Sequence, residues 1–112
     1  MKIVETNLTG AVIESKSVHY VDGVANAYVV CIVDHDDTPT LVPQNYKFLQ
    51  TGDLTEAGVA VHPYGALIVP ADVTATGLAV EVLFDGDYYE ADLGDILDAD
   101  VGDAITFTPV DD

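Results

Sequence analysis

The stretch AVIESKSVHYVDGVANAYVVCIVD, residues 11–34, decides the fold. Its first run, Ala11 to Val21, mixes apolar and polar residues as a half-buried strand does. Asp22-Gly23 interrupts it. Asp-Gly between two β-rich runs signals a hairpin, because a type I′ turn needs positive φ at both central positions. The return runs from Val24 to about Asp34. Its centre, Tyr28-Val29-Val30-Cys31-Ile32-Val33, is continuously apolar, which predicts a central strand covered on both faces.

The same pattern recurs towards the C-terminus. Leu78 to Phe84 reads as a strand, Asp85-Gly86 as a second hairpin turn, and Asp87 to Leu93 as the return. Tyr88-Tyr89 places one ring on each face of that return strand, one in the core and one outward. Ile96-Leu97 fits one short helical turn, with Asp92 or Asp95 near its N-terminus, where a carboxylate is favoured. Ala104 to Thr108 alternates cleanly and closes the chain as a strand. Between the hairpins, Ala66 to Val69 is a strand ending at Pro70, and Asp72 to Gly77 is a turn-rich connection. Gln44 to Tyr64 is irregular, with a short helical turn after Asp53 shortened by Gly58. His62-Pro63 belongs to a turn. Ile3-Val4 opens a short strand, His35 to Pro39 is a loop, and Thr40 to Pro43 is an edge piece. Six to eight strands with little helix predict an all-β single domain over residues 1–112, a small antiparallel barrel or sandwich.

Charge bounds the function. Twenty acids face three lysines, Lys2, Lys16 and Lys47, with no arginine, for a net charge of −17 over 112 residues. Nucleic-acid binders neutralise phosphates with Lys and Arg, so direct nucleic-acid binding is not expected, and neither is binding to an anionic membrane. With 49% hydrophobic residues the chain is too apolar for a disordered acidic tail. The charge is uneven: six acids and all three lysines lie before Thr51, and fourteen acids with no cation follow. Ten of those acids fall between Asp85 and Asp112. A very negative end and a nearly neutral end follow, the neutral one being easier to dock on a partner.

No chemistry-bearing motif emerges. Cys31 is a lone cysteine, expected as a buried small hydrophobe. Met1 to Glu5 lacks the apolar run of a secretion signal. Asp34-His35-Asp36-Asp37 holds metal-compatible donors, but consecutive side chains converge on an ion only with help from a second segment. Asp98 to Asp103 departs from a calcium loop, since Val101 precedes the glycine and the twelfth position is Pro109. Catalytic residues, cofactors and metals are therefore not expected, and the chain reads as a binding protein and not an enzyme.

The segment Gly65-Ala66-Leu67-Ile68-Val69-Pro70-Ala71-Asp72-Val73-Thr74, continuing through Gly77, Leu78 to Phe84, Asp85-Gly86 and Asp87 to Leu93, resembles the central stretch of phage head decoration proteins of the lambda type. It shares a small-residue apolar strand, an Asp/Thr-rich turn, a second strand, a glycine turn and a third strand. The resemblance covers about a quarter of the chain, and the long first hairpin departs from it. It implies a capsid cement protein on the outer surface of a virion. The partner implied is a viral major capsid protein, and the assembly a homo-oligomer, with a trimer favoured. Lys2, Ile3, Val4, Lys16 and Lys47 are the expected partner-binding residues. There a lysine can meet carboxylates on a shell subunit. Two other readings fit the composition: an acidic DNA-mimic inhibitor of a nucleic-acid-binding enzyme, and a different virion module such as a head-completion or tail protein. A high-salt source would explain the acidity without any of them.

Overall fold

The computed structural model describes residues 7–34 and 46–110. Eight strands and two short helices follow in the order β1 (Leu8–Val21), β2 (Val24–Asp34), β3 (Lys47–Phe48), α1 (Gly52–Glu56), β4 (Ala60–Val61), β5 (Ala66–Pro70), β6 (Ala79–Phe84), β7 (Asp87–Asp92), α2 (Leu93–Asp98) and β8 (Ala104–Pro109). All pair antiparallel in one sheet ordered β3-β6-β7-β8-β1-β2-β5-β4. The expected all-β class is what the chain adopts. The strand expected at Ile3-Val4, the loop at His35 to Pro39 and the piece at Thr40 to Pro43 lie outside the described residues.

Both Asp-Gly turns form as their chemistry requires. Asp22 and Gly23 have φ of 51° and 80°, and Asp85 and Gly86 have 51° and 81°. Aspartate tolerates the left-handed region and glycine pays no Cβ penalty there. The helices are capped from their own sequence. The Thr51 hydroxyl accepts from the Leu54 N–H, and the Asp92 carboxylate accepts from the Gly94 N–H at 2.7 Å. The other Asp92 oxygen accepts from the Gly77 N–H at 2.9 Å, pinning the preceding turn to the same cap.

The sheet curls until its two ends nearly meet. The Phe48 N–H on β3 donates to the Pro63 carbonyl just after β4, at 3.0 Å. Beside it, the Gln50 amide acts as a substitute strand: Nε2 donates to the Val59 carbonyl and Oε1 accepts from the Val61 N–H, each at 2.7 Å. Closure of this kind satisfies edges that would otherwise recruit other chains.

The interior holds one continuous core. Ala11, Ile13, Val30, Ile32, Leu67, Val69, Val80, Val82, Ile105 and Phe107 point inward from the strands, and Leu54, Leu93 and Ile96 from the helices. Phe107 lies edge-on to Phe48, with centroids 6.0 Å apart, and to Tyr46 at 6.4 Å. Tyr89 is buried and Tyr88 is outward, as the strand period predicts. Burial, and next to it the carboxylates of Asp87 and Asp85, raise the Tyr89 phenol above its ordinary value of 10.0. An acid held protonated by the fold favours the folded state while the unfolded chain ionises first, so stability falls as pH rises above about 10. In urea titrations across that range, the midpoint of Tyr89→Phe is expected to decline less steeply than that of the parent. Parallel declines would show that Tyr89 does not contribute.

The first hairpin departs from its sequence reading. Ile13 opposes Ile32 while Ser15 opposes Cys31, so Glu14 is an extra, bulged residue. The bulge switches parity: Ala11 and Ile13 face inward before it, and Lys16, Val18 and Tyr20 after it. β2 is central in the sheet, as expected, but it is not covered on both faces. Val30 and Ile32 are buried, while Val29, Cys31 and Val33 lie partly exposed on the outer face. Cys31 is thus half-buried and not the buried hydrophobe expected, because among the described residues no second layer covers that side of the sheet.

Candidate docking surface

Beyond the bulge the hairpin leaves the barrel. β8 accompanies β1 only from Leu8 to Val12, and every β1 residue from Glu14 to Val21 is exposed. The molecule measures 48 × 33 × 19 Å, in keeping with a body that carries an arm.

The arm and the strands beside it are poor in acid. Between Ser15 and Val33 there is a single acid, Asp22, and between Ala57 and Ala71 there is none. These two segments supply the distal part of β1, most of β2, and β4 and β5, which are contiguous in the sheet. Six of the eight large hydrophobic residues exposed among the described ones sit here: Val18, Tyr20, Val21, Val24, Tyr64 and Ile68. Ile68 is 49% exposed and Val24 69%. Exposed apolar residues scattered singly are ordinary; these six gather on neighbouring strands, with Val18 and Tyr20 on the inner face of the sheet and Ile68 on the outer one.

The opposite half is crowded with carboxylates. Glu81 on β6 stands directly opposite Glu90 on β7, on the outer face. Like charges so placed repel. Asp85 follows on the β6–β7 turn, Asp87 and Asp92 on β7, Asp95 and Asp98 on α2, and Asp100 and Asp103 on the approach to β8. Among the described residues the acids therefore concentrate on one side, although the boundary runs between strands and not between chain halves.

The expected partner-binding residues separate. Lys2, Ile3 and Val4 lie outside the described residues. Lys47 is exposed on β3, in register with Leu83 of β6, on the acid-rich side. Lys16 sits at the root of the arm, on β1, with β6, β7 and β8 between the two lysines in the sheet. Its ammonium donates to the carbonyls of Leu97 at 2.8 Å and Ala99 at 2.6 Å. It thus caps the negative end of α2, which has no basic residue of its own in its last turn. Lys16, Val18, Tyr28, Val30, Leu97 and Asp98 are among the residues that line a groove of about 390 Å³.

The two described histidines hold no shared site. His19 is exposed on the arm, and the His62 ring leans on Tyr64 while its Nδ1 accepts from the Tyr64 N–H at 3.2 Å. His35 lies outside the described residues. Among the described residues no group of three or more His, Cys, Asp or Glu side chains is placed to hold a metal ion. The exposed apolar set was missed by sequence reasoning because strand parity hides which face is covered. The signal that would have found it is the acid-free composition of residues 57–71 within so acidic a chain. Comparison with family models, with curated proteins and with solved structures found no match to this chain.

Proposed function

We propose that this protein is a viral capsid decoration protein that docks its acid-poor side onto the outer surface of a head and cements the shell through protein–protein contacts. The observation that carries the reading is the gathering of exposed apolar side chains on the acid-poor strands of the sheet, where Asp22 and Asp72 are the nearest carboxylates. A surface protein on a shell needs an apolar docking face and a strongly hydrated outer face, and charge depletion at the centre of a contact lowers the desolvation cost. The resemblance of residues 65–93 to lambda-type head decoration proteins supports the same assignment. In this reading the major capsid protein is the partner and the virion surface is the location.

The test is cosedimentation of the purified full chain with expanded heads assembled from a candidate major capsid protein. Saturable binding is expected, and Ile68→Asp and Val24→Asp should abolish it, since each puts a charge on an exposed apolar position without touching the core. Binding that survives both substitutions, or no binding to heads, overturns the proposal. The acid-rich side favours a second reading, an acidic DNA mimic seated in the basic groove of a nucleic-acid enzyme. It predicts steeply salt-dependent capture by such an enzyme, unaffected by Ile68→Asp.

A further inference from the structure

We infer that the open edge of β1, Ser15 to Val21, is a self-pairing site at which a second copy of this chain adds its own β1, antiparallel, across a two-fold axis. On the β8 side, the backbone bonding of β1 ends at Ile13, whose N–H donates to the Asp103 carbonyl at 3.0 Å and whose carbonyl accepts from the Gly102 N–H at 2.8 Å. From Ser15 to Val21 the strand pairs with β2 on one side and, among the described residues, with nothing on the other. Strand edges are normally protected by proline, by charged side chains, lysine above all, by covering segments or by closure. The barrel closes its own seam with Phe48 and Gln50, yet this edge carries no proline and no acid along SKSVHYV. Its one charge, Lys16, is bound to the carbonyls of α2.

Charge selects the occupant. Two chains of net charge −17 repel wherever their acid-rich strands meet, and β6 and β7 carry Glu81, Asp87, Glu90 and Asp92. β5 and β4 are free of acid but already paired or closed at the seam. Between Ser15 and Val21, β1 thus offers a second copy an open edge and no carboxylate, and the same register brings Glu14 towards the partner's Asp22 only at the two ends, a repulsion that salt screens. The segment is also self-complementary. A two-fold axis at Val18 sets Val18 against the partner's Val18, Ser17 against the partner's His19, and Lys16 against the partner's Tyr20. The Lys16 stem then packs under a tyrosine ring, and serine meets imidazole on the other face. Tyr20, 61% exposed in the single chain, becomes covered. Pairing of this kind gives a dimer, where the resemblance implies a trimer, and it does not rest on docking to a shell.

The test uses the full chain without any head. Sedimentation and native mass are expected to show a dimer that strengthens with salt, because screening relieves the repulsion between copies. The double variant Val18→Glu, Tyr20→Glu changes two exposed side chains, and should keep the circular dichroism of the parent while weakening dimerisation by at least about tenfold. Directly opposed residues of an antiparallel pair lie within disulfide range. Val18→Cys in a Cys31→Ser background should therefore cross-link under mild oxidation, and Val24→Cys in the same background should not. A parent that stays monomeric at every concentration and salt overturns the inference. So does a dimer that ignores the double variant and fails to cross-link through position 18.

Discussion

Phe107→Ala is expected to lower unfolding free energy by about 3–5 kcal/mol, the range for truncating a fully buried aromatic ring. Phe107 has no solvent exposure, and its ring reaches across the interior to Phe48 on β3 and to Tyr46. β8 and β3 are separated by β7 and β6 in the sheet, so this contact spans the barrel instead of joining neighbours. Truncation therefore removes transfer free energy, leaves a cavity, and undoes two edge-on ring contacts at once. A domain of this size has only about 5–15 kcal/mol in total, so the variant should unfold at a much lower urea concentration with the slope unchanged. Phe84→Ala is the comparison. Phe84 is only partly buried, at the edge of the same aromatic group, and should cost markedly less. Equal losses for the two would show that the cluster does not centre on Phe107.

The second large effect is at Gln50. Gln50→Ala is expected to cost about 2 kcal/mol, since the amide makes three hydrogen bonds at about 0.5–1.5 kcal/mol each and water can replace part of them. Its Nε2 serves the Val59 carbonyl and the Thr55 hydroxyl, and its Oε1 serves the Val61 N–H. These bonds close the seam between the β3 and β4 ends of the sheet. Gln50→Glu is the sharper probe. It keeps the shape and the acceptor for the Val61 N–H, but sets a carboxylate oxygen against the Val59 carbonyl and adds charge to a chain at −17. Both variants should lose hydrogen-exchange protection at Val61 and at Phe48, with the far side of the barrel, at Val82 and Tyr89, keeping its own. Unchanged protection at Val61 would mean that the seam closes without the side chain.

Local chemistry explains how much of the fold was legible. Asp22-Gly23 and Asp85-Gly86 announce their hairpins because only such residues accept the left-handed backbone of the turn. Asp92 was a candidate helix start and proved to be the N-cap of α2, since a carboxylate there needs only N–H groups two residues away. Gln44 to Tyr64 stayed irregular in sequence terms for the opposite reason. β3 and β4 are two residues each and form only because β6, β5 and the Gln50 amide are there to pair with them. The candidate site was less legible still. Lys16, a candidate partner-binding cation, was found to cap α2, more than eighty residues away in sequence.

The sequence by itself determined the antiparallel all-β class, both tight hairpins and the imbalance of charge, because each follows from composition or from backbone preferences a few residues long. Only the tertiary structure decided which faces are covered. One bulged residue, Glu14, reverses the parity of β1 and turns Val18 and Tyr20 onto the inner face, beyond the point where β8 stops. A period-two pattern specifies a face only relative to a register, and here the register and the end of its neighbour are set by strands distant in sequence. The open edge and the arm both come from that non-local pairing.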